Sequence, residues 1–468
     1  MVLFSRRLPM LNMAKILDTL MEGNGLYGDI FSEKKTYTHI HLESERIEKL
    51  ERGTDQGIGL RLINPWKMYF TSTNNQEEKN LLDLAAILAK FSCDKSEKQK
   101  KTEAHIDATY PFTIISDPEG VSIEKKIKML KNVESMAKSM ESRIRQIRVI
   151  YRDTRQMVQI YSSEGKNLRD NRTQVVLNLF LVGEEKGEVQ TAYEAIGGFY
   201  GYEFFTDEAV EALVIKTVKR LAGLLSAREA PMGTKTVVLS SEAGGTMIHE
   251  AIGHGLEADL AMEGLSCYKG MLGETIASPL ISVVDDATVP YLRGTYAYDD
   301  EGTGSERTVL VENGILKNFL FDKFHAMKYG KSSTGNGRRE SYRFKPIPRM
   351  SNTMILPGRD DPAKIVSSVD DGILVVKMGG GQVDTVRGDF VFEISEGYII
   401  EKGHVGEMIK NATMMGNGLQ VLQGIDMVGN DLGYGIGTCG KDGQGVPVAD
   451  AQPTLRIPEI VVGGRAEG

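Results

Sequence analysis

Two of the chain's seven histidines, His249 and His254, fall in the segment "IHEAIGHGLEAD" (248–259), and Glu250 directly follows the first. Imidazoles beside a carboxylate are the side chains that build hydrolytic zinc centres, with the imidazoles holding the ion and the carboxylate moving a proton. The spacing is unusual for that purpose. A helix advances about 100° per residue, so i and i+4 lie about 40° apart and i and i+5 about 140° apart. A regular helix therefore cannot aim His249 and His254 at one ion. One extra residue in the turn, a π-bulge, removes most of the offset, and such bulges concentrate at functional sites. Gly253 and Gly255 flank His254 and weaken the helix where it must widen. The plain alternative is a pair of solvated polar side chains.

A catalytic zinc takes three protein ligands and keeps one position open. The candidates for the third are Cys267, His325, His404 and Cys439. Cys439 stands out, because it sits in the glycine-dense "GYGIGTCGKDGQGVP", which reads as a loop with few apolar neighbours for a packing cysteine. The same loop nearly matches the phosphate-binding pattern G-x-x-x-x-G-K-[ST], but Asp442 replaces the hydroxyl and would repel phosphate. The glycines and prolines that follow exclude the required helix.

The elements that position these residues read as α+β. A helix is expected near 11–22, then antiparallel strands over "GLYGDIFSEKKTYTHIHLESERIEKLERGTDQGIGLRLI", then a helix over "EEKNLLDLAAILAKF". His39 and His41 share one face of a strand there, as polar strand residues. A charged stretch containing Cys93 looks like a linker. A second unit holds an amphipathic helix over "VSIEKKIKMLKNVESMAKSMES", two hairpins, and a helix capped by Thr206 or Asp207. From "KTVVLSS" onward the chain is rich in glycine and short strands. The expected division is 11–92, 115–230 and 233–468: small amino-terminal α/β units, then a large β-rich carboxy-terminal domain carrying the zinc-site helix.

Composition narrows the function. The chain has 468 residues and a net charge of −8, which argues against a general phosphate-backbone binder, so no nucleic acid is expected. Three scattered cysteines are no disulfide framework and point to a reducing, cytoplasmic setting. No apolar run approaches the ~20 residues of a membrane span. The amino terminus carries Arg6 and Arg7, but Asn12, Lys15 and Asp18 break the apolar stretch behind them. It reads as an amphipathic helix rather than an export signal, with Met10 and Met13 as alternative starts.

Taken together, "DQGIGLRLI", "HEAIGHGLEAD", "VVDDATVP", "VLVENGILKNFLFDK", "TGNGRRESYR", "GGGQVD", "FVFEISEGYIIEKG" and "MVGNDLGYGIGTCGKDGQGVPV" resemble the TldD branch of the TldD/PmbA family, once called modulators of DNA gyrase. The resemblance spans nearly the whole chain and is densest after residue 233. It implies a zinc metalloprotease with one Zn²⁺ per chain, held by His249, His254 and Cys439, with Glu250 as the base. It also implies unstructured peptide substrates and a PmbA- or TldE-type partner subunit, or a second copy of the chain in that place. The PmbA branch lacks the metal-binding residues.

Two further readings stay open. One is a non-catalytic regulatory or binding subunit, which would have no use for Glu250. The other is an exopeptidase of the His-Glu-x-x-Gly-His kind, whose third ligand is a glutamate on a downstream helix. "GETIASPLISVVDD" does not look like that helix. Arg338 and Arg339 in "TGNGRRES" are candidates for binding a peptide carboxylate, and Gly380 and Gly381 in "GGGQVD" for close approach of a peptide backbone. The acidic pairs Asp285–Asp286 and Asp299–Asp300 read as solvated turns rather than a calcium or magnesium site.

Overall fold

A computed structural model describes residues 11–23, 25–65, 67–91 and 104–464. The first element, α1 (Met13–Leu20), is capped by Asn12, whose side chain accepts from the Lys15 amide. Strands β1 (Tyr27–Glu43) and β2 (Arg46–Asn64) form one long hairpin, with Ser44 and Glu45 at positive φ in its turn. Strand β3 (Lys67–Thr73) and helix α2 (Glu78–Ala89) complete the unit. Ile16 and Leu20 of α1 meet Leu81 and Ala85 of α2 over Ile58, Leu60 and Leu62 of β2, burying one apolar face of the sheet.

Cys93 lies outside the described residues, as does most of the expected linker. Its described end instead forms strand β4 (Ala104–Asp107). Helix α3 (Ile123–Met140) follows, capped by Ser122. The next segment is one unbroken strand, β5 (Ile144–Ser162), not the expected hairpin. Its burial alternation lapses over residues 154–157, but its pairing with β1 and the following strand runs on through that stretch, and the chain turns only at Gly165 (φ 85°). Strands β6 (Lys166–Glu185) and β7 (Glu188–Gly198) extend the meander, and helix α4 (Asp207–Leu225) is capped by Thr206.

These strands make a single seven-stranded sheet in the order β3-β2-β1-β5-β6-β4, with β7 also on β6. β1 pairs antiparallel with β5 from Asp29↔Ser162 to Glu43↔Arg148, so the first two units share one backbone ladder.

After residue 233 the chain is β-rich. Strands Asp371–Asp384, Gly233–Leu239, Leu455–Gly463, Ala412–Asn417 and Asp389–Glu401 pair in that order, and the last pairs back onto the first, closing a barrel with no free edge within the ring. A second, six-stranded sheet ends in the hairpin of Gly433–Lys441 and Gln444–Gln452. The motif segment packs between them: Met247, Ile248, Ala251 and Ile252 join the same core as Val237, Ile373, Phe392 and Ile457. The amino-terminal sheet docks tightly on this domain. A Cβ at Gly57 would sit 2.1 Å from the Tyr342 ring, and buried Arg61 pairs with both Asp29 and Glu301. Among the described residues no helix is long and apolar enough to cross a membrane.

Candidate metal centre

The turn that the five-residue spacing demands is present. Thr246–Ile248 is α-helical, His249–Gly253 is a π-helix, and His254–Leu256 is 3-10. The widened turn returns His254 to the side of His249, and their ring centroids lie 4.9 Å apart with the planes nearly perpendicular. Cys439 arrives from the other side. It sits not in a loop but in the edge strand Gly433–Lys441, whose partner strand Gln444–Gln452 occupies the place where a nucleotide-binding helix would be. One nitrogen from each ring and the Cys439 Sγ lie within 4.8 Å of one another, all on buried residues. The Sγ is 3.4 Å from His254 Nε2.

The other candidates are elsewhere. Cys267 lies beside Gly388, with its amide bonded to Thr385 O. His325 Nδ1 is 2.7 Å from Asp322, and His404 is exposed at a strand end.

Each histidine is held from behind. His249 Nδ1 is 2.8 Å from Asp450 Oδ1, and His254 Nδ1 is 2.8 Å from Glu257 Oε2. An imidazole whose Nδ1–H is given to a carboxylate presents a bare Nε2 lone pair, the usual arrangement of a metal-ligating histidine. Glu257 is fully buried and takes a second partner in Lys441 Nζ (2.9 Å), which also holds Asp259 (2.7 Å). The close approach of helix and strand requires a small residue at Gly245, where a Cβ would lie 2.5 Å from Ala451 N and from Asp450 Cβ.

The electrostatics match a cation site. Burial opposes the charged forms of Cys439, His249 and His254. The neighbouring charges prevail, however, and with no ion bound the Cys439 thiol is drawn down to about 6 by the two imidazoles. Against the same burial, Glu257 and Cys439 push His254 up to about 10, and Asp450 and Cys439 lift His249 well above the ordinary range. A cluster that concentrates protons on its imidazoles when empty is a cluster that offers concentrated negative charge to a metal.

His249, Glu250, Cys439 and Asp450 line a cleft of about 650 Å³ between β7, α4 and the carboxy-terminal domain. Tyr200, Phe204, Tyr291 and Tyr434 line it too, with Tyr200 and Tyr291 stacked at 4.7 Å. The glycine-rich segments alone suggest a site with few aromatics. Tyr200, Phe204 and Tyr291, far away in sequence, supply most of them, and Tyr434 comes from the glycine-rich strand itself.

Arg338, Arg339, Gly380 and Gly381 do not line this cleft. Arg338 is buried, stacks on Tyr296 and donates to the carbonyls of Met350 and Pro447. Arg339 stacks on Phe31 and donates to Asp300 O. Gly380 and Gly381 lie in a barrel strand, and a Cβ at Gly381 would lie 1.9 Å from the Phe392 ring, so packing sets that glycine. The acidic pairs are buried, not solvated. Asp285 accepts from Ser351, Thr353 and Asn336, and Asp299 from the amides of Glu301, Thr303 and Gly337.

Sequence comparison matches residues 28–90, 116–225 and 232–464 to domain 1, the central domain and the C-terminal domain of the PmbA/TldA metallopeptidases. The chain belongs to the PmbA/TldD family. A metalloprotease TldD homolog of Buchnera aphidicola (subsp. Schizaphis graminum) is 36% identical over 94% of this chain and 92% of its own. One from Haemophilus influenzae is 35% identical over 96% and 95%. A zinc metalloprotease TldD homolog of Saccharolobus solfataricus is 26% identical over 97% and 100%. The fold is shared with TldE of Thermococcus kodakarensis (TM-score 0.74, 18% identity, covering 97% of this chain and 100% of that one). It is shared also with a Thermotoga maritima protein described as a modulator of a DNA gyrase (TM-score 0.78, 20% identity, 96% and 98%).

Proposed function

We propose that this chain is a zinc-dependent peptidase that hydrolyses unstructured peptides, with His249, His254 and Cys439 as ligands of one zinc ion and Glu250 as the base. The observation that carries the reading is the convergence of two imidazole nitrogens and a thiol within 4.8 Å, on a surface whose rear is lined by Asp450 and Glu257. Two neutral nitrogens and one thiolate form a donor set that suits Zn²⁺ and leaves a position for substrate. Zinc supplies Lewis acidity to a peptide carbonyl and to water when bound there. The Glu250 carboxylate shares the cleft with His249, where it can take a proton from water and return it to the departing amine. Asp450 and Glu257 fix the ring orientations and hold the Nδ1 protons, so that Nε2 is the nitrogen turned to the ion, and they make it a stronger donor. The aromatic side of the cleft gives an extended chain apolar contact, and the strand Gly433–Lys441 beside it offers backbone hydrogen-bonding groups for strand addition. A TldE-like subunit is the proposed partner, with a second copy of this chain as the alternative.

The test is Glu250→Gln. The variant keeps its zinc, measured by atomic emission after dialysis, and loses at least the ~10²–10⁴-fold typical of a general base. Wild-type hydrolysis by this variant removes Glu250 from the role. Peptide binding without hydrolysis by the wild-type, zinc-loaded chain and its partner supports the non-catalytic subunit instead.

A further inference from the structure

Beside the catalytic cleft lies a second cavity of about 320 Å³, and its walls carry Lys35, Arg152, Arg172, Arg293, Arg338 and Arg339. Against these six cations stand three carboxylates, Asp153, Asp300 and Glu340. Each carboxylate is engaged. Asp153 holds the buried Lys126 at 2.6 Å, Asp300 binds Arg172 at 2.6 Å and the Arg339 amide at 2.8 Å, and Glu340 accepts from the Gly445 amide at 2.6 Å. Arg293 and Arg338 make no ion pair among the described residues. Arg293 gives its Nε to Gly437 O (2.9 Å), one terminal nitrogen to Gln174 Oε1 (2.9 Å) and the other to Thr438 Oγ1 (3.2 Å). Arg338 donates only to main-chain carbonyls.

Guanidinium groups enclosed by neutral acceptors retain their full charge and unused N–H donors, which is costly without an anion and unusual in a protein interior. Arg293 feels this directly: burial, and then the charges of Arg152 and Arg338, draw it down to about 10. Its side chain is not fully buried, and it forms part of the cavity wall. The cavity also adjoins the cleft. Thr438 borders both, and Leu292 lines the cleft while Arg293 lines the cavity.

We propose that this arginine-lined cavity is a carboxylate-binding subsite for the peptide held in the catalytic cleft, with Arg293 and Arg338 as the anchors. The paired N–H groups of a guanidinium match the two oxygens of a carboxylate. The carboxylate belongs either to the peptide's C-terminus or to an Asp or Glu side chain. This rests on the reading of the cleft as a peptide site, but not on its being catalytic.

The test measures binding, so it is separable from turnover. An octapeptide without charged side chains, labelled at its N-terminus with an uncharged BODIPY dye, is titrated with the zinc-loaded Glu250→Gln chain and followed by fluorescence anisotropy. It is made with a free C-terminal carboxylate, with a carboxamide, and with a carboxamide plus one internal glutamate. The expected result is that the carboxamide binds about ten- to a hundredfold more weakly than the free acid. Arg293→Gln should weaken the free acid to the level of the carboxamide and leave the carboxamide unchanged. Recovery by the internal glutamate alone assigns the subsite to an acidic side chain. Equal binding of all three peptides, or no binding of any, overturns the proposal, and neither result needs a variant at Arg293. Hydrolysis by the wild-type chain without discrimination sinks this subsite and leaves the peptidase standing. Carboxylate-dependent binding without hydrolysis does the reverse.

Discussion

Asp450→Asn tests the proposed metal centre through a residue that stands behind His249 rather than among the proposed ligands. The asparagine keeps the shape and can still accept from His249 Nδ1 through its oxygen, so the 2.8 Å contact survives and only the charge is removed. A hydrogen bond to a charged group contributes about 1.5–3 kcal/mol and a neutral one about 1, so the ring loses roughly 1–2 kcal/mol of support. At about 1.4 kcal/mol per factor of ten, zinc affinity should fall roughly 5- to 30-fold, within the span typical of outer partners of metal-ligating histidines. The assay is competition for zinc against a chromogenic chelator at neutral pH, with Glu250→Gln as the control that leaves affinity unchanged. Wild-type affinity in Asp450→Asn would show that the carboxylate does not tune His249. A loss beyond about a thousandfold, with an unaltered fold, would mean that Asp450 itself binds the ion.

Cys439→Ala should abolish zinc retention on dialysis, whereas Cys267→Ala, outside the cluster of His249, His254 and Cys439, should retain it; equal zinc in wild type and Cys439→Ala refutes the thiolate ligand. In the metal-free chain Glu257 is held down to about 2, because Lys441 and His254 outweigh its burial. A carboxyl lowered below its unfolded value of about 4.5 stabilises the fold above that pH and ceases to do so as pH falls toward 2. Chemical denaturation of the metal-free protein between pH 5 and 2 should show a decline that Glu257→Gln flattens. One peptide sequence assayed free and inside a stable domain should be cut only when free, since a folded substrate must first open locally at a cost up to its global stability. Comparable cleavage of the folded form contradicts this.

The chain's local patterns already announced much of this. The five-residue step from His249 to His254, with glycines around the second, requires a widened turn by helical geometry alone, and a π-helix is found there. Amphipathic periods and caps gave α3 and α4, because helices depend on neighbours three and four residues away. Strand partners were not legible. The unbroken length of β5 and the shared ladder of β1 and β5 depend on which segments pair, and alternation says only that a strand has two faces. The same limit hid Asp450, about two hundred residues from His249 and marked by nothing local. Glu257 left a faint signal, three residues after His254. The glycines around Cys439 suggested a loop, yet edge-strand pairing made them a strand, since backbone hydrogen bonds to Gln444–Gln452 outweigh weak intrinsic preference. Arg338 and Arg339 were conspicuous in sequence, but whether they face the cleft beside Cys439 or a second cavity follows from how the amino-terminal sheet docks on the carboxy-terminal domain. Residue types and short spacings determined the chemistry available to this protein. Convergence of distant charges, which sums contributions from many strands across space, was decided only by the tertiary fold.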